Sequence, residues 1–460
     1  MSGEDEGYKL SRYTVVSDSF CEPGRDTALR ALFSTRSGAR LVVSDRTWVA
    51  LQANPSEDVA PALRDALIAS KILVSEAEDE FAEVLAENKQ FQASDQTLYQ
   101  VIQPTAACQL GCDYCGQAHS PRTLSDAHLK DIVERVEQKL VTGRFRELSI
   151  GWFGGEPLLA QDVMRRASAQ LRDLANRLNV EYSAKIVTNG VRLDEAAQAE
   201  LHEVHRIRYV EVTLDGDEAA HDARRHWKRT EQGSFATILG NVSTLLRRSH
   251  PRPDVGIRCN VDVRNVESVV PLMRTLAEAG LHQLLKRFYV ASVYSWGNGA
   301  SRLALPPLEF ASREIVWFAE MAKLGFPLEL IPGRVHETCM VFKPDAELVD
   351  AFGTRFNCSE VSYVPSYTVA GQNVYALRND GGSTRATELS TFHDRVAEGA
   401  YPCRECQMFP VCGGACPKAW LEGEVPCPPA KHNIGQRLIL EYVLENRQIR
   451  AVDSLRYKPC

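Results

Sequence analysis

Apolar and polar positions through the middle of the chain follow two alternating rhythms. Short runs rich in Val, Ile, Leu, Tyr and Phe predict strands at Leu98–Gln103, Leu148–Phe153, Tyr182–Val187, Tyr209–Leu214, Val255–Val261 and Leu284–Val290. Between them the apolar period lengthens to that of a helix. Ser125 offers an N-cap to a stretch with Leu129, Ile132, Val133, Val136 and Leu140 on one face. Met164, Ala167, Leu171, Leu174 and Leu178 repeat the pattern, as do Phe235, Ile238, Leu239, Val242 and Leu246. A further helix is expected from Val266 to Ala279, stopping at Gly280. Parallel strands need such crossovers, so the rhythm predicts an α/β fold built as a partial (β/α)6 barrel over residues 97–305. Chemistry then belongs at the C-terminal ends of the strands.

The flanks read differently. In residues 1–95, Ala31–Thr35 and Arg40–Val43 flank Ser37-Gly38 as a hairpin, with helices expected near Trp48–Ala53, Val59–Ala69 and Phe81–Asn88. A hairpin followed by helices is the outline of a winged helix, serving either as a peptide-recognition module or as a packing extension. Residues 306–338 carry a bridging amphipathic helix over Leu308–Leu324. Residues 339–460 have little periodicity before Ile434–Leu444, as befits a loop-rich domain supported by metal clusters.

Composition narrows the classes. Hydrophobic content of 44% and charged content of 25% are those of a globular protein, and 460 residues suggest two or three domains. A net charge of −7 gives no basic field for nucleic acid. No apolar run approaches a membrane span, and Met1–Phe20 is too charged for a signal peptide, so a cytoplasmic location is expected. There the clustered ones among the 13 cysteines read as metal ligands rather than disulfides.

Three of them form Cys108-x3-Cys112-x2-Cys115 directly after the first predicted barrel strand. A structural zinc site wants four closed ligands, whereas three thiolates can hold a [4Fe–4S] cluster with one iron left open. A zinc-binding or metal-free turn is the alternative for the triplet alone. The second strand ends in Gly154-Gly155-Glu156-Pro157, where glycines allow close backbone approach and a carboxylate offers an anionic acceptor. Together these motifs resemble those of the radical S-adenosylmethionine (SAM) enzymes. The resemblance implies that Gly154, Gly155 and Glu156 hold the amino group of the SAM methionine and that Tyr114 faces its adenine. It also implies that Thr213, before Leu214-Asp215-Gly216, and Arg225 contact SAM; a guanidinium suits a carboxylate. His221 and Asp222 stand as either solvated loop residues or ligands, and Thr188-Asn189-Gly190 as a turn without chemistry.

Near the C-terminus, Cys403-x2-Cys406-x5-Cys412-x3-Cys416 and then Cys427 resemble a SPASM domain, which binds two auxiliary [4Fe–4S] clusters; a zinc ribbon is the alternative. The resemblance gives Cys403, Cys406, Cys412 and Cys427 to one auxiliary cluster. It gives Cys416, with Cys358 and Cys339, to the other. The family pattern then wants a cysteine where this chain has Ala376, which leaves three options for that cluster: an open iron, a non-cysteine cap, or no cluster. The same departure removes a Cys-Asp pair whose aspartate is the base in sulfatase-maturing relatives, which lowers that reading. Cys259 is expected in the core, Cys21 in a turn without a role, and Cys460 as a terminal thiol.

The resemblance implies an enzyme that cleaves SAM reductively to a 5′-deoxyadenosyl radical and modifies a ribosomally made precursor peptide. Crosslinking is favoured over epimerisation, and the partners expected are the peptide and a reductase such as flavodoxin or ferredoxin. The alternatives are a radical SAM dehydrogenase acting on a small molecule or a protein side chain, and a non-catalytic Fe–S electron carrier.

Overall fold

The structure, a computed structural model, describes residues 7–22, 27–55, 59–377 and 384–445; Cys460 lies outside them. Six short strands precede the barrel: β1 (Tyr8–Leu10), β2 (Thr14–Val16), β3 (Phe20–Cys21), β4 (Ala28–Ser34), β5 (Arg40–Ser44) and β6 (Leu73–Ser75). β4 and β5 form the expected hairpin, turning at Gly38, whose φ of +79° suits a residue without Cβ. β2 and β3 pair on the other side of β4, and β1 pairs with β6. The helices here are α1 (Asp45–Ala53), α2 (Pro61–Ala69) and α3 (Glu80–Ser94), with Ser44 and Asp79 capping the first and third.

The barrel strands are β7 (Thr97–Ile102), β8 (Glu147–Trp152), β9 (Glu181–Thr188), β10 (Ile207–Thr213), β11 (Asp254–Val261) and β12 (Arg287–Ser292). They run parallel in sequence order, each paired with the next. The crossovers are α4 (Asp126–Leu140), α5 (Gln161–Arg177), α6 (Glu195–Glu203), α7 (Glu218–Arg224), α8 (Phe235–Arg247) and α9 (Val269–Glu278). Ser125 caps α4, its hydroxyl accepting the His128 N–H at 3.2 Å. The stripe predicted from period is the stripe that is buried: Leu129, Ile132, Val136 and Leu140 face the same core as Leu148 and Ile150. Truncating any of these to Ala would cost about 2–5 kcal/mol.

Several boundaries differ from expectation, two of them through 3₁₀ turns. β12 starts at Arg287 rather than Leu284, because His282–Leu284 is spent on a 3₁₀ turn that closes α9. The helix expected from Val266 opens as a 3₁₀ turn over Val266–Ser268 and becomes α-helical only at Val269.

α10 (Pro307–Leu324) ends at Gly325 and packs against the C-terminal helix Ala430–Glu445. There Asn433 Nδ2 donates to the Ala311 carbonyl at 2.9 Å, and Arg437 pairs with Glu314. After α10 the chain returns to the barrel. β13 (Glu347–Val349) runs parallel to β7, and β14 (Arg355–Phe356) pairs antiparallel with β13, giving a sheet of eight strands. The N-terminal sheet also packs on this region: Val15, Phe20, Ala31 and Phe33 share one apolar cluster with Met408, Val411, Ile434 and Leu438. Thr35 donates to the Gln407 carbonyl at 2.6 Å across that contact.

Candidate active site

A cavity of about 450 Å³ opens at the C-terminal ends of the barrel strands. Cys108, Cys112 and Cys115 line it from the loop after β7, Gly154 and Gly155 from the turn after β8, Thr213 from the end of β10, and Arg225 from beyond α7. Tyr114 lines it too. Gly154 and Gly155 have φ of +81° and +54°, and a Cβ on Gly155 would stand 2.5 Å from the Ala107 carbonyl oxygen. Only glycine lets this turn lie against the cysteine loop.

Glu156 departs from the picture. Its side chain is fully buried and outside the cavity lining. One carboxylate oxygen accepts the Leu158 N–H at 3.0 Å and the Thr188 hydroxyl at 2.7 Å; the other accepts the Asn189 N–H at 2.7 Å. The carboxylate therefore joins the end of β8 to the end of β9. Burial raises its pKa, against the pull of those donors. Asn189, taken from sequence as part of a chemically silent turn, also directs its amide at Cys108 Sγ, 3.7 Å away.

Around Tyr114 a buried network ties three segments together. Its hydroxyl donates to Asp215 Oδ2 at 2.5 Å and accepts from Asn260 Nδ2 at 3.2 Å and from Arg225 Nη1. The Arg224 guanidinium lies over its ring at 5.0 Å. Asp215 Oδ1 accepts the Asn260 N–H at 2.7 Å. His221 is neither solvated nor a ligand. Its Nδ1 accepts the Asp215 N–H at 3.1 Å, and Nε2 therefore donates to Ser234 Oγ at 3.0 Å, whose hydroxyl donates to the Arg225 carbonyl. Burial, then Arg225 and Arg224, depress its pKa to about 2, so it stays neutral. Asp222 caps the start of α8, accepting the Ser234 and Phe235 N–H groups at 2.8 Å.

The residues present suit an iron–sulfur cluster and an anionic ligand beside it. Three thiols face one cavity, and Arg225 there keeps its Nε buried with no hydrogen-bond acceptor. Burial pushes the Cys112 thiol up to about 12 and raises Cys108 and Cys115, so metal loading must expel protons from all three. Among the described residues no three His, Cys, Asp or Glu side chains converge on a single ion.

The remaining cysteines gather in two further places. Cys403, Cys406, Cys412 and Cys427 line one small pocket with Lys431, whose ammonium donates to Cys427 Sγ at 3.4 Å. Cys339 also lines the main cavity, together with Ser359 and Glu360. Burial lifts Cys358 well above the usual thiol range, and the charges of Cys339, Glu360 and Cys416 add to it. Ala376 borders a separate pocket with Gly371 and Tyr375 and packs against the same apolar cluster as Cys358. Cys259 is fully buried in the barrel core as expected.

Other cavity residues carried no sequence signal. Lys185, Glu211, Arg258, Asn260, Tyr294 and Trp296 all line it. The polar residues of β9–β11 among them point inward at alternate positions, a period-2 cue that a run of buried strand residues obscures.

Residues 102–276 match the model of the Radical SAM superfamily. An uncharacterized protein of Synechocystis is 30% identical over 156 residues, 32% of this chain and 37% of that protein. A serine-type anaerobic sulfatase-maturating enzyme of Klebsiella aerogenes is 31% identical over 137 residues, 29% of this chain and 33% of its own. These matches thus span about a third of each relative's length. Among solved structures, anSMEcpe with bound AdoMet superimposes with a TM-score of 0.55 at 18% identity, covering 78% of this chain and all of that one. The same protein with AdoMet and the Cp18Cys peptide gives 0.54 at 17% identity, again over 78% of this chain and all of that one. The cysteine loop, the glycine turn and the β10 end thus sit within the stretch that matches the Radical SAM superfamily model, a family that implies SAM and a [4Fe–4S] cluster.

Proposed function

We propose that this protein is a radical SAM maturase that modifies a ribosomally made precursor peptide. The observation carrying this reading is a single cavity lined by the cysteine triplet, Gly154, Gly155, Thr213 and Arg225 and also by Cys339 and Glu360. When bound, the cluster and SAM supply a carbon-centred radical that takes hydrogen from a substrate carbon. Cys108, Cys112 and Cys115 hold the cluster. The Gly154–Gly155 backbone and Thr213 line the SAM site, and Arg225 offers its free Nε to a carboxylate. Glu156 fixes the turn that carries the glycines instead of touching the ligand. Tyr114, Asp215 and Asn260 hold Arg225 in place.

Cys403, Cys406, Cys412 and Cys427 would hold one auxiliary cluster, and Cys339, Cys358 and Cys416 the other. A flavodoxin- or ferredoxin-type reductase would supply electrons. Crosslink formation is favoured over epimerisation. The leader of the peptide would add to β5, which among the described residues pairs only with β4 and leaves Val42 exposed. The second reading, dehydrogenation of a protein side chain, is supported by the sulfatase-maturating relative and by a peptide-bound structural neighbour. The test is anaerobic turnover with dithionite, SAM and candidate precursor peptides, including the product of any short open reading frame found beside the gene. The expected result is 5′-deoxyadenosine together with a peptide lighter by two hydrogens. Cleavage of SAM with no change in any candidate peptide would turn the proposal towards a small-molecule substrate.

A further inference from the structure

The cluster assigned to Cys339, Cys358 and Cys416 lacks a fourth cysteine, because this chain has Ala376 where the family pattern puts one. A different side chain lies beside two of the three thiols. Glu360 follows Cys358 by two positions, lines the main cavity beside Cys339 and Ser359, and is held from three directions. The Tyr294 hydroxyl donates to its Oε2 at 2.7 Å, and the Trp296 indole N–H donates to its backbone carbonyl at 2.7 Å. Its own N–H faces the Cys358 sulfur. Its other carboxylate oxygen, Oε1, has no hydrogen-bond donor among the described residues. The result is a carboxylate fixed at one oxygen and free at the other. We propose that Glu360 is the fourth ligand of the auxiliary cluster held by Cys339, Cys358 and Cys416, closing it to outside ligands while Tyr294 orients the carboxylate. The charge of Glu360 also reaches Cys416 and Cys115. Replacement of thiolate by another donor is chemically ordinary in iron–sulfur proteins and tunes the cluster.

The proposal rests on reading those three cysteines as cluster ligands, and the experiment separates the two. The full chain carrying C108A, C112A and C115A is reconstituted anaerobically, so that only C-terminal clusters remain. About eight irons, four per cubane, support the ligand reading; about four would overturn the cluster itself before Glu360 is at issue. With eight irons in hand, the reduced protein is examined by low-temperature electron paramagnetic resonance with and without cyanide as the probe. The parent spectrum is expected to ignore cyanide, the E360A spectrum to shift with it, and the E360C spectrum to ignore it again. If cyanide shifts the parent, or if E360A answers it as the parent does, the cluster has an open iron or another cap and Glu360 is not its ligand. E360Q, close in shape to the native side chain, guards against a folding effect: it should respond to cyanide as E360A does while keeping the parent's iron content.

Discussion

The Tyr114 hydroxyl donates to Asp215 Oδ2 at 2.5 Å, so a residue between two cluster cysteines is tied to the segment that leaves the fourth barrel strand. Asp215 is fully buried, and Arg225 Nη1 lies 3.7 Å from the same oxygen. Removing the carboxylate would leave the guanidinium buried without its counter-charge. Asp215→Asn is therefore expected to destabilise the protein by about 3–5 kcal/mol, against about 1–3 kcal/mol for Tyr114→Phe. Denaturant titration of both variants checks the order, and a milder effect for Asp215→Asn would contradict it.

Metal content is the next expectation. Anaerobically reconstituted protein should carry about twelve irons, and a Cys403→Ala, Cys406→Ala variant about eight, at four irons per cluster. Zinc in their place, in protein never exposed to oxygen, would return the C-terminal cysteines to a zinc ribbon.

Replacing Cys108, Cys112 and Cys115 together by Ala should abolish 5′-deoxyadenosine formation and spare the other clusters. Glu156→Gln should act differently. It keeps the shape but turns an NH₂ towards donors such as the Asn189 N–H, at a cost of about 1–3 kcal/mol. The expected phenotype is a lower melting temperature with weaker SAM binding as its consequence. A variant with unchanged stability and lost SAM affinity, by calorimetry, would restore the carboxylate to the binding site.

Acid sensitivity follows from two buried histidines. Burial depresses His221 to about 2 and His205 to about 4, whereas the unfolded chain titrates near the ordinary value of 6.5. As pH falls below that value the unfolded state takes protons first. Stability contributed by each neutral ring is thus complete above about pH 6.5 and is lost on acidification, by at most about 1.4 kcal/mol per pH unit for each ring. His205→Gln should flatten the fall in melting temperature between about pH 6.5 and 4.5. Parallel curves for the variant and the parent would exclude His205 as a source.

Deleting residues 1–95 is a poor test of leader binding, since Val15, Phe20 and Phe33 are packed against Met408 and Ile434. A charge on the exposed edge is gentler. Val42→Asp should raise KM for a full precursor about tenfold or more, a loss of about 1.4 kcal/mol, and leave SAM cleavage without peptide unchanged. Equal KM values would make the N-terminal sheet a packing element.

The barrel was legible because strand and helix periods are local, and Ser125, Gly280 and the cysteine spacings are read within a few residues. The glycine turn and the triplet announced themselves in the same way. What stayed hidden depends on distant pairing. Glu156 reads as a ligand by motif, yet its partners Thr188 and Asn189 belong to the next βα unit. Glu360 has no spacing to betray it, because Tyr294 and Trp296 reach it from the far side of the barrel. β13 is three residues long, too short for any period to register.

That short strand has a consequence for how the protein is made. Gln100 on β7 meets Glu347 across 247 residues, and Gln100 Nε2 donates to the Glu347 carbonyl. During synthesis the strand carrying the cysteine loop must wait, one edge unpaired, until just over three-quarters of the 460 residues have left the ribosome. Closing so long a loop is slow, and a bare edge invites pairing with neighbours. A nascent or truncated chain ending before Glu347 should therefore be the aggregating species in the cell, with chaperone demand set by this single late pairing rather than by the clusters.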